Sequence, residues 1–184
     1  MLCWSQLAKG NEVEIELQGP KEIILGSTFN ISVDVTNISN FDAANFDILF
    51  NPDYISVIDV FNGKINDTEV PVSMWNIVDE NKLRVILNLP GIDGVSGDGL
   101  LTTIEFNSLK SGSVTLTVDN SVLSNSNASE ITATWSNYVV EINSMEEDEK
   151  SSEFPLFLII LVIILIVLIL IIIYYLVFFK KNKK

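Results

Sequence analysis

Between Phe154 and Phe179 the chain reads FPLFLIILVIILIVLILIIIYYLVFF, 26 residues without a charge. As a helix rising ~1.5 Å per residue it would extend about 39 Å, more than the ~30 Å hydrocarbon core of a bilayer. A helix buried in a soluble core keeps a polar stripe, and this run has none. Residues 154–179 are therefore expected to form a single transmembrane α-helix, with tilt or interfacial ends absorbing the excess length. Tyr174 and Tyr175 sit near one boundary, where amphipathic rings settle at the headgroups, and KKNKK follows at 180–184. The other flank, MEEDEKSSE, has Lys150 as its only base. Lysine bias then places the 180–184 tail in the cytoplasm and residues 1–153 outside the cell membrane. The opening decapeptide MLCWSQLAKG lacks a basic start and a long apolar run, so either it is the remnant of a longer signal or the domain is cytosolic and tail-anchored. The lysines favour the remnant.

What precedes the span has room for one domain of ordinary size. All 24 acidic residues lie there, against 7 of the 11 basic ones, a net charge of −17. Such a surface repels phosphate backbones, so no nucleic-acid partner is expected. Cys3 is the single cysteine, which rules out an intrachain disulfide and leaves the fold to packing. Histidine is absent altogether. That removes Ser-His-Asp and Cys-His nucleophile systems and the commonest zinc ligand. Two-carboxylate chemistry survives in principle, but no catalytic arrangement is readable; a non-enzyme with no cofactor and no metal of its own is expected.

From Glu12 to Ile142 apolar residues alternate with polar ones between turn residues, which is the period of a half-buried strand. EVEIEL puts Val13, Ile15 and Leu17 on one side; TFNISVDVTN does the same with Phe29, Ile31, Val33 and Val35. NFDILF turns Phe46, Ile48 and Phe50 inward and Asn45, Asp47 and Leu49 outward. KLRVILNL alternates Leu83, Val85, Leu87 and Leu89 with Arg84, Ile86 and Asn88. ISVIDV, VSMWNIV, LLTTIEF, SVTLTVD and ITATWSNYVVEI complete about nine strands, with GIDGVSGDG as a glycine-rich connection. No amphipathic helix interrupts them, and two packed sheets bury such faces, so an all-β sandwich is expected over 12–143. Residues 1–11 then form an N-terminal segment and 144–153 an acidic linker.

In this order, ANFDILFNPDYISVIDV, KLRVILNLPG and DGLLTTIEFNSLKSGSVTLTV resemble the cohesin family, over most of Glu12 to Ile142. The most specific pieces are the A-N-x-D lead into an apolar strand ending in N-P-D, and the D-G pair opening the strand that carries Ile104 and Phe106. The resemblance implies a nine-stranded jelly-roll sandwich whose one sheet face binds a dockerin-like protein, the calcium being carried by that partner. In the family the asparagine and aspartate of the A-N-x-D strand touch the dockerin, and here they are Asn45 and Asp47. The neighbouring strand would add Arg84, Ile86 and Asn88, the LLTTIEF strand Leu101, Thr103 and Glu105, and the strand beside them Trp75. Leu49 and Ile86 would form the apolar centre, with Asp47, Arg84 and Glu105 fixing register. On that reading Asp47→Ala weakens partner binding and leaves the melting temperature nearly unchanged. Where family members often have an acid after the KLRVILNL strand, this chain has Leu89, Pro90 and Gly91.

The alternatives are a carbohydrate-binding module, with polysaccharide as ligand, or a structural subunit of an envelope assembly. Sugar platforms align two or three aromatic rings on one face. No outward row emerges from Trp4, Trp75, Trp135 and the two tyrosines ahead of the span. Asp93 and Asp98 in PGIDGVSGDG lack the ligand spacing of a calcium loop and read as turn formers. The run Glu146, Glu147, Asp148, Glu149 reads as a solvated, self-repelling spacer. Four N-x-S/T sequons occur, at Asn30, Asn37, Asn66 and Asn127. In a chain so rich in asparagine their number carries no information, though each would be usable on an extracellular domain, and Asn30 is expected on the opposite sheet, clear of the docking face.

Overall fold

A computed structural model describes residues 12–144 and 156–181. The N-terminal segment 1–11, nearly all of the acidic linker (145–153), Phe154 and Pro155 of the expected span, and the last three residues of the basic tail lie outside the described residues. The chain forms two units, 1–145 and 146–184.

Twelve strands build the described residues of the first unit: β1 (Val13–Gln18), β2 (Glu22–Ile24), β3 (Thr28–Leu49), β4 (Ile55–Ile65), β5 (Thr68–Val70), β6 (Val72–Asp79), β7 (Lys82–Asn88), β8 (Val95–Ser108), β9 (Gly112–Asn125), β10 (Glu130–Ile131), β11 (Ala133–Trp135) and β12 (Tyr138–Asn143). The architecture is the expected all-β sandwich, while the strand count differs from nine. Short strands at β2, β5, β10 and β11 raise the number, and one long strand lowers it. That strand, β3, runs for 22 residues and serves both sheets. Its first half pairs with β8 and β1, its second with β7 and β9. The change of partner falls at Asn37 to Phe41. Asn37 and Asn40 hold left-handed φ values of 59° and 55°, a conformation asparagine tolerates better than most residues. Phe41 closes the corner, paired with Val95 on one side and Asn125 on the other.

One sheet thus runs β5-β4-β8-β3-β1-β11, and the facing one β6-β7-β3-β9. The first half of β9 pairs instead with β12, which lies parallel to β2. The alternation read in the sequence supplies the core. Ile31, Val33 and Val35 from the first half of β3 join Phe46 and Ile48 from the second, with Leu83, Val85, Leu87, Ile104, Phe106 and Leu116, all essentially inaccessible to water. Phe106 ties the layers, stacked on Phe29 at 5.6 Å between centroids and edge-on to Phe50 at 6.1 Å. The glycine-rich stretch is only in part a connection, because β8 begins at Val95 and carries Gly97 and Gly99 within it. Asp98 lies within β8 and not in a turn as expected, and its side chain accepts the backbone N–H of Asn37 at 2.7 Å. Gly63 marks the tightest approach of β4 to β8: a Cβ there would collide with the carbonyl oxygens of Leu100 and Leu101.

Among the described residues the second unit holds one helix, α1 (Leu156–Lys181), 26 residues long. It begins two residues later and ends two residues further on than the expected span. From Leu158 to Tyr175 its side chains are unburied, and it is long and apolar enough to cross a membrane.

Candidate functional site

The outer face of the β6-β7-β3-β9 sheet collects most of the residues singled out above. Register places Asn45 opposite Ile86 and Asp47 opposite Arg84 across β3 and β7, with Asn88 opposite Ala43. On the far side of β3, Asn45 faces Val122 and Asp47 faces Asp119. Two residues on β3 there span three on β9, so β9 carries one extra residue, a bulge. Asn120 occupies it with φ at 45°, and its side-chain amide donates to Asp47 Oδ2 at 3.0 Å and to Asp119 Oδ2 at 3.1 Å.

Asp47 is not the solvated acid that a polar outward row implies. Its side chain is fully buried under its neighbours. Arg84 donates from Nε to Oδ1 at 2.7 Å and from Nη2 to Oδ2 at 2.8 Å, a two-point clamp. Lys82 Nζ stands 3.9 Å from the same carboxylate and 3.3 Å from Asp119. The hydrogen bond from Arg84 holds the Asp47 carboxyl below its ordinary value of 3.8, against the desolvation that pushes it up, and Asn120 and Lys82 add to the lowering. The same contact raises Arg84 above its ordinary value. The centre of the face is therefore a fixed ionic cluster, not a set of independently mobile charges.

Beside the cluster lies an apolar strip. Met74 on β6 sits opposite Ile86, and Met74 and Val122 are each 49% exposed, with Ile86 half-buried between them. A shallow groove of about 390 Å³ opens along this strip, lined in part by Ala43, Asn45, Ile86 and Val122. The Oδ1 of Asn45 is buried without a hydrogen-bond partner. Such an atom costs free energy until a donor reaches it. Leu49, half-buried at the other end of the row, borders a second depression near Asn51 and Thr117.

Four of the expected face residues lie elsewhere. Leu101 is fully buried in the core. Thr103 and Glu105 belong to β8 and hence to the opposite sheet, where they pair with Ser32 and Asn30 of β3 and with Phe61 and Asp59 of β4. The cause is the change of partner within β3, which delivers β8 to its first half and β7 to its second. Trp75 pairs with Val85 and packs against the core, because an irregularity between Val72 and Met74 shifts the β6 register and turns Met74 outward instead. Lys82, Asp119, Asn120, Met74 and Val122 were not singled out. Lys82 shares the parity of Arg84, a signal the alternation carries; Asp119 and Asn120 stand where the SVTLTVD alternation ends, and a bulge has no periodic signature.

No aromatic row for a sugar ring forms among the described residues. Trp75 and Trp135 pack on the core, Trp135 with its ring 5.3 Å from that of Phe46, and Tyr138 is buried.

The family model described as Cohesin domain matches residues 13–142. No curated protein matches the chain. Among solved structures, a non-cellulosomal cohesin from the hyperthermophilic archaeon Archaeoglobus fulgidus is similar with a TM-score of 0.62 and 20% identity, covering 77% of this chain and 99% of that one. A cohesin module of a family 33 glycoside hydrolase from Clostridium perfringens reaches 0.64 at 15% identity, over 72% of this chain and 98% of that one. A type I cohesin–dockerin complex from Clostridium thermocellum reaches 0.62 at 16% identity, over 73% and 95%.

Proposed function

The chain belongs to the cohesin family, and on that premise we propose that its β6-β7-β3-β9 face is a docking surface for a dockerin-like protein. The domain performs no chemistry in this reading. It holds a partner, and α1 holds the domain to the cell membrane with residues 1–153 outside and the lysines of 180–184 within. Binding is thereby converted into display at the cell surface. Structures of cohesins bound to dockerins from Clostridium thermocellum and Acetivibrio cellulolyticus support the class of partner.

The observation that carries the reading is the pairing of a locked ionic cluster with an apolar strip on one sheet face. Met74, Ile86 and Val122 offer the surface that a partner's helix can dehydrate. Arg84, Lys82 and Asp119 surround the buried Asp47 and set a charge pattern with little motion left to freeze out on binding. Asn45 sits beside the strip, lining the groove with its Oδ1 buried. Asn88 extends the polar rim. With Leu89, Pro90 and Gly91 where relatives often have an acid, the partner is expected to have no cation aimed at that corner.

The test is calorimetry or a pull-down with the fragment 11–145 against calcium-loaded dockerins, repeated after chelation. Calcium-dependent binding that Ile86→Arg abolishes, with the melting temperature preserved, supports the reading. Binding that survives Ile86→Arg and Met74→Asp together moves the site off this face and refutes it.

A further inference from the structure

Three of the four sequons lie together. The loops around Asn37 to Asn40, Asn66, Ser96 to Asp98 and Asn125 to Ser129 gather at one end of the sandwich. The N–H of Asn37 donates to Asp98 Oδ1 at 2.7 Å, that of Asn40 to Ser96 Oγ at 2.8 Å, the Asn66 amide to the Ser96 carbonyl at 2.7 Å, and Ser126 Oγ to Asn40 Oδ1 at 3.0 Å. Asn37, Asn66 and Asn127 are all exposed within this cluster. Each stands at a left-handed turn: Asn37 with φ 59° and Asn66 with φ 49°, while Asn127 directly precedes Ala128 with φ 58°. Asn30 differs, lying within a regular stretch of β3 opposite Glu105.

Two further facts give the cluster a direction. β9 runs from Gly112 to Asn125, and β12, which leads out of the domain, pairs antiparallel with its first residues, Ile142 opposite Gly112. The chain therefore leaves at the end opposite to the sequon loops. None of the sequon asparagines lies on the outer row formed by Asn45, Asp47, Arg84, Ile86, Met74 and Val122.

We propose that this loop end is an N-glycosylated cap, with Asn127 its principal acceptor, oligosaccharide being carried on the end far from the chain's exit. The inference rests on the proposed outward location of the domain. In the transfer, the side-chain nitrogen of Asn127 bonds to the anomeric carbon of a phosphate-linked lipid oligosaccharide. The bond from that carbon to the phosphate oxygen breaks, the lipid phosphate leaves with the electron pair, and the amide proton passes to the transferase. No oxidation state changes. Asn127 suits the step because its turn is held by the Asn125 side chain, whose Oδ1 accepts the N–H groups of Asn127 and Ser129, each at 3.0 Å, so a glycan on Asn127 Nδ2 disturbs neither bond. At Asn66 a glycan displaces the hydrogen bond to Ser96, which ranks it second.

The experiment takes the full chain from the membranes of its native host. Intact cells are first treated with an amine-reactive label that does not cross membranes, and modification of Lys64 and Lys110 is read by mass spectrometry. An unlabelled aliquot is cut with trypsin, which separates Asn127 (residues 111–150) from Asn66 (residues 65–82) and from Asn30 with Asn37 (residues 22–64). A glycan mass on the 111–150 peptide, and a one-step gain in gel mobility in both Asn127→Gln and Ser129→Ala, support the proposal. Labelled lysines with bare peptides at all three loop sites overturn the cap and leave the outward location standing. Unlabelled lysines with bare peptides overturn both.

Discussion

Replacing Asp47 with alanine separates a structural role for the ionic cluster from a decorative one. In the folded domain its carboxylate accepts from Arg84 twice, at 2.7 and 2.8 Å, and from Asn120 at 3.0 Å. Removing one member of a fully buried pair costs ~3–5 kcal/mol, because the partner charge is left without water or counter-ion. Here the loss is smaller. The Arg84 side chain keeps about a third of its surface in solvent and can be rehydrated, and Asn120 retains Asp119 as an acceptor. Charged hydrogen bonds of this kind contribute ~1.5–3 kcal/mol each and do not add fully, so the expected loss for Asp47→Ala is about 2–3 kcal/mol. For a domain of this size that lowers the melting temperature by roughly 6–15 °C. This reverses what an exposed Asp47 implies, namely weakened binding at unchanged stability. Denaturant unfolding and calorimetry of the 11–145 fragment measure the loss, with Asp47→Asn as the variant that keeps shape and loses charge. A melting temperature within about 2 °C of the parent would refute the argument, since a buried carboxylate with three strong donors cannot be removed so cheaply.

The remaining predictions concern acid, packing and the strip. Because the folded-state pKa of Asp47 lies below its ordinary value, its contribution is full above the unfolded value of ~3.9 and is lost as pH falls through the folded pKa. The stability gap between the parent and Asp47→Asn should stay constant at neutral and mildly acidic pH and close below about pH 4, as followed by urea unfolding across pH. Gly63→Ala should destabilise the fragment by about 1–3 kcal/mol, because the new methyl meets carbonyl oxygens of β8 that can retreat only by opening the ladder; thermal melts read this directly. Val122→Asp should weaken partner capture at least tenfold in calorimetry while moving the melting temperature by no more than about 2 °C, since the side chain is half exposed and packs on nothing deeper than the strip.

Alternation carried the sequence reading as far as a period-two signal can. It assigned Phe46, Ile48, Phe50, Leu83, Val85 and Leu87 to the core, and all six are buried. It also placed Asn45, Arg84, Ile86 and Asn88 on one outer row, and register confirms that they share a face. What it cannot encode is a change of partner inside one strand. Alternation leaves Leu101, Thr103 and Glu105 beside Arg84, because nothing local says that β8 pairs with the first half of β3 and β7 with the second. Bulges defeat it in the same way. One irregular step in β6 exchanges Trp75 for Met74, and one extra residue in β9 brings the Asn120 amide onto Asp47. Burial of Asp47 was illegible for a further reason: a carboxylate at an outward position is buried only by long side chains folding over it, and those come from β7 and β9, 35 to 73 residues away in sequence.

That last point bears on how the face could recognise anything. An exposed acid on a flat sheet would have to lose water and side-chain freedom when a partner arrived, and such rim charges contribute little affinity. With Asp47 already dehydrated and clamped, that cost is met during folding, and on the proposed docking face a partner would meet an arginine, a lysine and a second acid whose positions are held by that clamp. Arg84→Lys tests this division of labour. Lysine keeps the charge and loses the two-point clamp, so if prior fixation matters, the variant should dissociate faster from its partner, with an association rate and salt dependence close to the parent's. If instead the face acts only through its net charge, the two proteins should be indistinguishable in both rates, and the clamp would be relevant to stability alone.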